Sequence, residues 1–319
     1  MKFYKIICCL LCVCLLFLFT ACKKDKGDVS DVSSETVSVE VPEKIPDSVQ
    51  KIAVINGGAP LYKFNDDIYK LDVPTSGIYV SVFFVKDGSK WYIIDTASSG
   101  MDVMNYVIPG TRELGIDLEK VKGLVITHRH NLHAGGLSTL AKACPNADIY
   151  GITSNFPPEN DNTYKITNYV GNNIEYVTID GHEEQVIGYF DHRTKTLFAS
   201  DGIQLYGVGD RGCQIKDIDV YLASMNKLKE MDIENIIASH AFSPHGAYAI
   251  GTDAVQQYIN DGIDLLEELM AFVKKQMSEG VTDVNVIEKR YIKEMSENYA
   301  DFPTDGFDEV ISLIMTHEK

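Results

Sequence analysis

Positive charge is scarce in this sequence: 29 Lys and Arg stand against 46 Asp and Glu, for a formal net charge of −17 at pH 7. A surface with that balance repels phosphate backbones, which proteins bind through clustered Lys and Arg. Nucleic acid is therefore excluded as substrate or partner, and anionic lipid headgroups are disfavoured on the same ground. Long apolar runs are scarce as well. The stretch from Ile6 to Phe19 is almost unbroken, yet it is shorter than the roughly 20 residues a membrane-spanning helix needs. No repeat of solenoid spacing is present, which argues against a stacked array. Of the seven cysteines, five lie in the first 22 residues, leaving Cys144 and Cys213. That pair forms one disulfide in an oxidising compartment or remains two separate buried thiols; the sequence leaves both open.

The N-terminus has its own pattern. Lys2 and Lys5 precede the apolar run, and Phe19-Thr20-Ala21-Cys22 closes it with small residues before a cysteine. This is a secretory-signal pattern and resembles a bacterial lipoprotein signal. The expectation is a signal peptide over 1–21 and a lipid on Cys22. That lipid would be the sole membrane attachment of a secreted chain held at the cell envelope. Residues 22–48, rich in Lys, Asp, Ser, Glu and Val with Pro42 and Pro46 near the end, read as a disordered tether.

From about Ile52 the chain is strand-rich, and residues 49–319 are expected to form one domain. Strands are expected at Ile52 to Ile55, Leu61 to Phe64, Ile68 to Leu71, Ile78 to Val85 and Trp91 to Ile94, the last two as a hairpin. Short helical pieces should flank Pro109-Gly110, followed by a strand at Val121 to Ile126 and a helix at Leu137 to Ala143. A second batch of strands should cover Ile149-Tyr150, Ile174 to Ile179, Gln185 to Phe190, Thr196 to Ala199 and Ile236 to Ala238. Asp217 to Lys229 reads as a helix. Asp253 to Met277 reads as a long amphipathic helix, with Val255, Ile259, Ile263, Leu266, Met270 and Val273 on one stripe, and two more helices close the chain. Two batches of strands, each followed by helices, imply an α/β fold of two packed sheets with helices outside.

The densest chemistry lies directly after Gly123-Leu124-Val125-Ile126. Thr127-His128-Arg129-His130-Asn131-Leu132-His133 packs three of the eight histidines into six residues. Neutral imidazole is the commonest side-chain ligand for zinc. Histidines two apart at a strand end can share a side, because the strand period is two. Downstream, His182 follows Gly181 after one expected strand, Asp201 follows Thr196 to Ala199, and His240 follows Ile236 to Ala238. All three are expected just past a strand's C-terminal end, where functional residues project from a sheet.

These elements resemble, in order and context, the metallo-β-lactamase superfamily, from about Ile52 to His240. Ile94-Asp95-Thr96 looks like its Asp-Thr-Gly, the histidine cluster like its His-x-His-x-Asp-His, and Gly181-His182 like its Gly-His. Asp201 looks like its bridging Asp, and Ser239-His240 like its last histidine. The resemblance implies an αββα sandwich of two mixed sheets. It implies one metal, zinc by expectation, on His128, His130 and His182. A second, weaker one would sit on His133 and His240, with Asp201 bridging both and serving as the catalytic carboxylate. It implies a small-molecule substrate carrying an ester, thioester, lactone or lactam, cleaved by a metal-bound hydroxide. Loops such as Asn155 to Thr163 and Tyr206 to Cys213 would set the substrate. Oligomeric state is not readable from this chain.

Leu132 departs from the pattern, for the motif has Asp there. Leu neither binds a cation nor orients a nucleophile, so the second site is expected to be weaker. The alternative reading follows: a metal- or ligand-binding module of the same fold with little or no catalysis. An iron oxidoreductase fits less well, because no flavin domain is visible. Glu183 and Glu184 are expected to face solvent, with a ligand or acid/base role as the other reading. Asp95 is expected to buttress the histidine loop. His192 and His317 are expected to be incidental. His245 reads as a loop residue or a pocket-lining one.

Overall fold

Ile78–Asp87 shows how the layers are stacked. Alternate residues of this strand point to opposite faces, and both faces are buried. Val80, Val82 and Phe84 enter one apolar cluster, and Phe83 and Val85 enter another. A strand buried on both sides belongs in the middle of a layered structure, and the sheet pairings put it there.

The computed structural model describes residues 45–151, 164–165 and 167–317. The expected signal over 1–21, nearly all of the tether at 22–48 and the loop at 155–163 lie outside the described residues. Among those described, the first sheet runs in chain order: β1 (Gln50–Ile55), β2 (Ala59–Lys63), β3 (Ile68–Thr75), β4 (Ile78–Asp87), β5 (Lys90–Ile94), β6 (Val121–Val125), β7 (Asp148–Tyr150) and β8 (Tyr164–Lys165). Neighbours are antiparallel up to β5 and parallel from β5 onward. The second sheet holds β9 (Tyr169–Val170), β10 (Ile174–Thr178), β11 (Ile187–Asp191), β12 (Thr196–Ser200), β13 (Gly207–Val208), β14 (Arg211–Gly212), β15 (Asn235–Phe242) and β16 (Gly246–Ile250). Its spatial order is β14-β13-β15-β12-β11-β10-β9, with β16 also paired to β15.

Three apolar layers hold this together. One lies between the first sheet and the helical segments at 100–113 and 137–143. A second lies between the other sheet and the helices Ile218–Lys229, Thr252–Ser278, Val284–Ser296 and Asp308–His317. The third lies between the sheets, where Phe83 meets Phe198 with ring centroids 5.1 Å apart. The architecture is the expected αββα sandwich. Helix starts follow ordinary capping: the Asp217 carboxylate accepts from Val220 N at 3.0 Å, and that of Asp283 accepts from Asn285 N at 2.9 Å.

Four expectations change. Pro109-Gly110 does not separate two helical pieces. The backbone continues from Gly100 to Glu113 through a π-turn at Val103–Val107. Proline lacks an N–H, and the Asn105 carbonyl is capped instead by the Asn56 side-chain amide. The strand at Gln185 to Phe190 begins only at Ile187. β15 extends to Phe242, so His240 lies inside a strand rather than past its end; β16 and β13 supply the pairing that the shorter reading lacked. Cys144 and Cys213 are both free and buried, in different apolar layers, which removes the disulfide reading.

A charged pair is buried between the sheets. Lys70 and Asp72, each at most 2% exposed, stand 2.7 Å apart. The Lys70 ammonium faces the rings of Tyr79 and Tyr248 at 4.6 and 4.9 Å. The Ser81 hydroxyl lies 2.8 Å from Asp72 Oδ1 and 2.9 Å from the Ser239 carbonyl, so it links β4 to β15 one residue before His240.

Candidate metal centre

The histidine loop leaves β6 at Ile126 and is locked to the loop that leaves β5. Asp95 Oδ1 accepts from Thr127 N at 2.9 Å, and Asp95 Oδ2 accepts from His133 Nδ1 at 2.8 Å. Thr96 N donates to the His133 carbonyl at 2.7 Å. His130 then starts the short turn Asn131–Ala134, which carries His133 inward. Only glycine fits where the two loops touch: a Cβ on Gly136 would sit 2.1 Å from the Thr96 carbonyl oxygen. That contact explains the Gly135-Gly136 tail of the motif. His182 reaches the site from the β10–β11 connection, Asp201 from the end of β12, and His240 from β15.

All six sequence-predicted residues come together, in two groups that share Asp201: His128, His130, His182 and Asp201, and His133, Asp201 and His240. His128 Nε2 is 3.0 Å and His182 Nε2 is 3.1 Å from His130 Nδ1. Asp201 Oδ2 lies 3.2 Å from His133 Nε2 and 3.7 Å from His128 Nε2, and its Oδ1 lies 3.5 Å from His240 Nε2.

Each ring's other nitrogen has an oxygen neighbour outside the cluster. His128 Nδ1 faces the Thr127 and Ser200 hydroxyls at 3.2 and 3.4 Å, His130 Nε2 faces Glu183 Oε1 at 2.9 Å, and His182 Nδ1 faces the Gln214 carbonyl at 2.7 Å. His133 Nδ1 faces Asp95, and His240 Nδ1 faces the Tyr79 carbonyl. Assigned from this network, each outer nitrogen carries a proton, and the inner nitrogens of His128, His130 and His182 present lone pairs. Such outer-shell acceptors orient metal-ligating histidines.

Two further observations fit a cation. Asp201 Oδ1 is buried without a hydrogen-bond partner, and an orphaned buried oxygen is costly unless something positive meets it. Electrostatics agree for the first group. Burial holds His128 well below the ordinary imidazole pKa, lowers His130 against the pull of Glu183, and brings His182 down to about 4, so all three are neutral at pH 7. In the second group burial also opposes the charge on His133, but Asp201 and Asp95 outweigh it and raise the ring to about 10. Burial works against the Asp201 carboxylate too, yet His133 and His240 hold its pKa well below the usual range. A cation at the second group therefore competes with a proton on His133.

Leu132 is half-buried and packs against the apolar layer beneath the helices of the first sheet. It contributes packing rather than a donor atom. Glu183 corrects an expectation: it does not face solvent but is 2% exposed, because Arg129, Lys216 and His130 all converge on it. Glu184 is exposed, as expected. Thr127, Ser200, Gln214 and the Tyr79 carbonyl were not anticipated; only the adjacency of Glu183 to His182 was a signal in the sequence. His192 pairs with Glu175, His245 with Asp261 and His317 with Asp219, and none joins either group.

Comparison with known proteins agrees with this fold. The sequence profile described as Metallo-beta-lactamase superfamily matches residues 75–180. A hydroxyacylglutathione hydrolase of Francisella tularensis subsp. holarctica is 26% identical over 118 residues, 35% of this chain; the chain spans 46% of that relative's length. A metallo-beta-lactamase from Erythrobacter litoralis superposes with a TM-score of 0.52 at 18% identity, covering 69% of this chain and 100% of that one. The stereoselective inverting sec-alkylsulfatase Pisa1 from Pseudomonas sp. superposes with a TM-score of 0.56 at 12% identity, covering 81% and 50%. Residues 75–180 thus resemble the metallo-beta-lactamase superfamily in sequence, and the two mixed sheets with outer helices share the fold of the superposed neighbours.

Proposed function

We propose that this protein is a metal-dependent hydrolase of a small molecule with an ester, thioester, lactone or lactam bond. The observation that carries the reading is the set of five anchored imidazoles clustered with Asp201, four of them with a ring nitrogen within 4 Å of its carboxylate. His128, His130 and His182 would hold the first ion, and His133, His240 and Asp201 the second. Zinc suits such imidazole-rich sets with an open position. When bound, the metal supplies Lewis acidity and lowers the pKa of water toward neutrality. The protein's own part is positional. Asp95 and the backbone carbonyls of Gln214 and Tyr79 fix the rings, and Asp201 supplies the negative charge both groups share. The Francisella relative's name refers to hydroxyacylglutathione, a thioester, which puts thioesters first in any substrate panel.

The direct test measures metal by elemental analysis of purified full-length protein and hydrolysis of a thioester, ester, lactone and lactam panel. Chelation is expected to take turnover to background and zinc to restore it. Turnover that survives complete removal of metal would sink the mechanism.

Leu132 favours a second reading, a binding module of the same fold, because it removes one carboxylate from the second group. Leu132→Asp separates the two. It should cost about 1 kcal/mol of stability through lost apolar contact and raise affinity for a second zinc about tenfold by adding a donor. Under the hydrolase reading the native chain already turns over, and the variant changes its rate by no more than about tenfold. Activity seen only in the variant establishes the binding module instead.

A further inference from the structure

We infer that Glu183 is the positioning residue that aims His130 at the first metal. This rests on the proposal that His128, His130 and His182 hold an ion. His130 is the most exposed of the five imidazoles, with a side-chain exposure of 35% against 4% or less for the others. It also stands at the mouth of a turn rather than inside a strand. Burial therefore fixes its ring least, and a specific contact must do so.

Glu183 makes that contact. Its Oε1 lies 2.9 Å from His130 Nε2, on the side of the ring away from the cluster. An ionised carboxylate only accepts, so Nε2 must carry the proton and Nδ1 must present its lone pair to His128 and His182. Glu183 itself is held by two cations. Arg129 Nε and Nη2 both reach Oε2, at 2.9 and 2.6 Å, as charge-assisted contacts. Lys216 Nζ reaches Oε1.

The contact also joins three loops that each deliver or anchor a ligand. Arg129 lies between His128 and His130, Glu183 directly follows His182, and Lys216 lies two residues after the Gln214 carbonyl that anchors His182. Backbone bonds reinforce the junction: the Gly181 carbonyl accepts from Lys216 N at 2.7 Å and from Asp217 N at 3.2 Å. Glu183 thus provides the first group with a carboxylate in its outer shell, in a chain whose motif position 132 has none.

The test uses the full-length chain with zinc and with cobalt(II) alone, read by competition against a chromophoric chelator and by the cobalt absorption spectrum. Glu183→Ala should weaken the first ion about 10- to 100-fold, the usual cost of losing an outer-shell partner, and shift the cobalt bands. Glu183→Gln should lose less, because its amide oxygen in the Oε1 position still accepts from His130 and Lys216, although the amide nitrogen in the Oε2 position no longer accepts from Arg129. Should Glu183→Ala fail to fold, as judged by circular dichroism, Arg129→Ala and Lys216→Ala decide, each expected to lower affinity several-fold with a smaller spectral change. Folded variants with wild-type affinity and spectrum overturn the inference alone. A wild-type chain whose ion uptake is unchanged by His128→Ala overturns the metal reading and this inference together.

Discussion

Asp201→Asn should lower turnover by at least about 1,000-fold and leave no more than about one firmly held ion per chain. The magnitude follows from electrostatic stabilisation in a water-poor site, where one aimed group is worth about 10²–10³ in rate, combined with loss of the shared ligand. Asp201 is the single side chain common to both groups. Its Oδ2 faces His133, His128 and His182 at 3.2, 3.7 and 3.9 Å, and its Oδ1 faces His240 at 3.5 Å. Asparagine keeps the volume, and Gln204 Nε2 can still donate to the backbone carbonyl at position 201 as it does at 2.6 Å now. What disappears is the negative charge, together with the second equivalent oxygen. Steady-state hydrolysis and metal content of the same preparation check this. A variant within tenfold of wild type in both would show that Asp201 does not bridge.

Asp72→Ala should destabilise the fold by about 3–5 kcal/mol, the range seen when one partner of a buried ion pair is removed. Lys70 would remain 1% exposed, with its ammonium held by tyrosine faces in place of a carboxylate. Ring faces provide about 2 kcal/mol when desolvated, less than a buried charge requires. Ser81 would also lose one of its two acceptors, keeping only the Ser239 carbonyl next to His240. Urea unfolding followed by fluorescence measures the loss. The double replacement Lys70→Met with Asp72→Leu is the control. Removing both charges should return stability to within about 1 kcal/mol of wild type, because the pair's own desolvation is relieved. A loss under 1 kcal/mol in Asp72→Ala, or a double variant as unstable as the single one, contradicts this account.

Legibility differed by kind of feature. Elements with long, regular patterns were readable: the β4–β5 hairpin pairs as expected, and the apolar stripe of Thr252–Ser278 faces the core. Short strands were not readable. β13 and β14 have two residues each, and they exist because β13 pairs with the edge of β15 and β14 with β13 rather than because Gly207-Val208 or Arg211-Gly212 favours extended backbone. The same pairing lengthened β15 past His240. In the site, residue types with one dominant chemistry stood out, since histidines two apart have few other uses. Glu183 did not, because an acidic residue in a loop is usually solvated, and nothing local to it signals that Arg129 and Lys216 arrive from other loops.

By itself the sequence determined the fold class, the six candidate ligands and the departure at Leu132, because these depend on residue type, order and period along the chain. The tertiary structure decided what depends on distances between segments far apart in sequence. It placed Asp201 between two sets of imidazoles, assigned an oxygen to the outer nitrogen of each, and buried Glu183 against His130 although 53 residues separate them. It also turned Leu132 toward the apolar layer. Metal-ligand geometry is a matter of tenths of an ångström and of which ring nitrogen faces inward. Only the packing of one loop against another sets those.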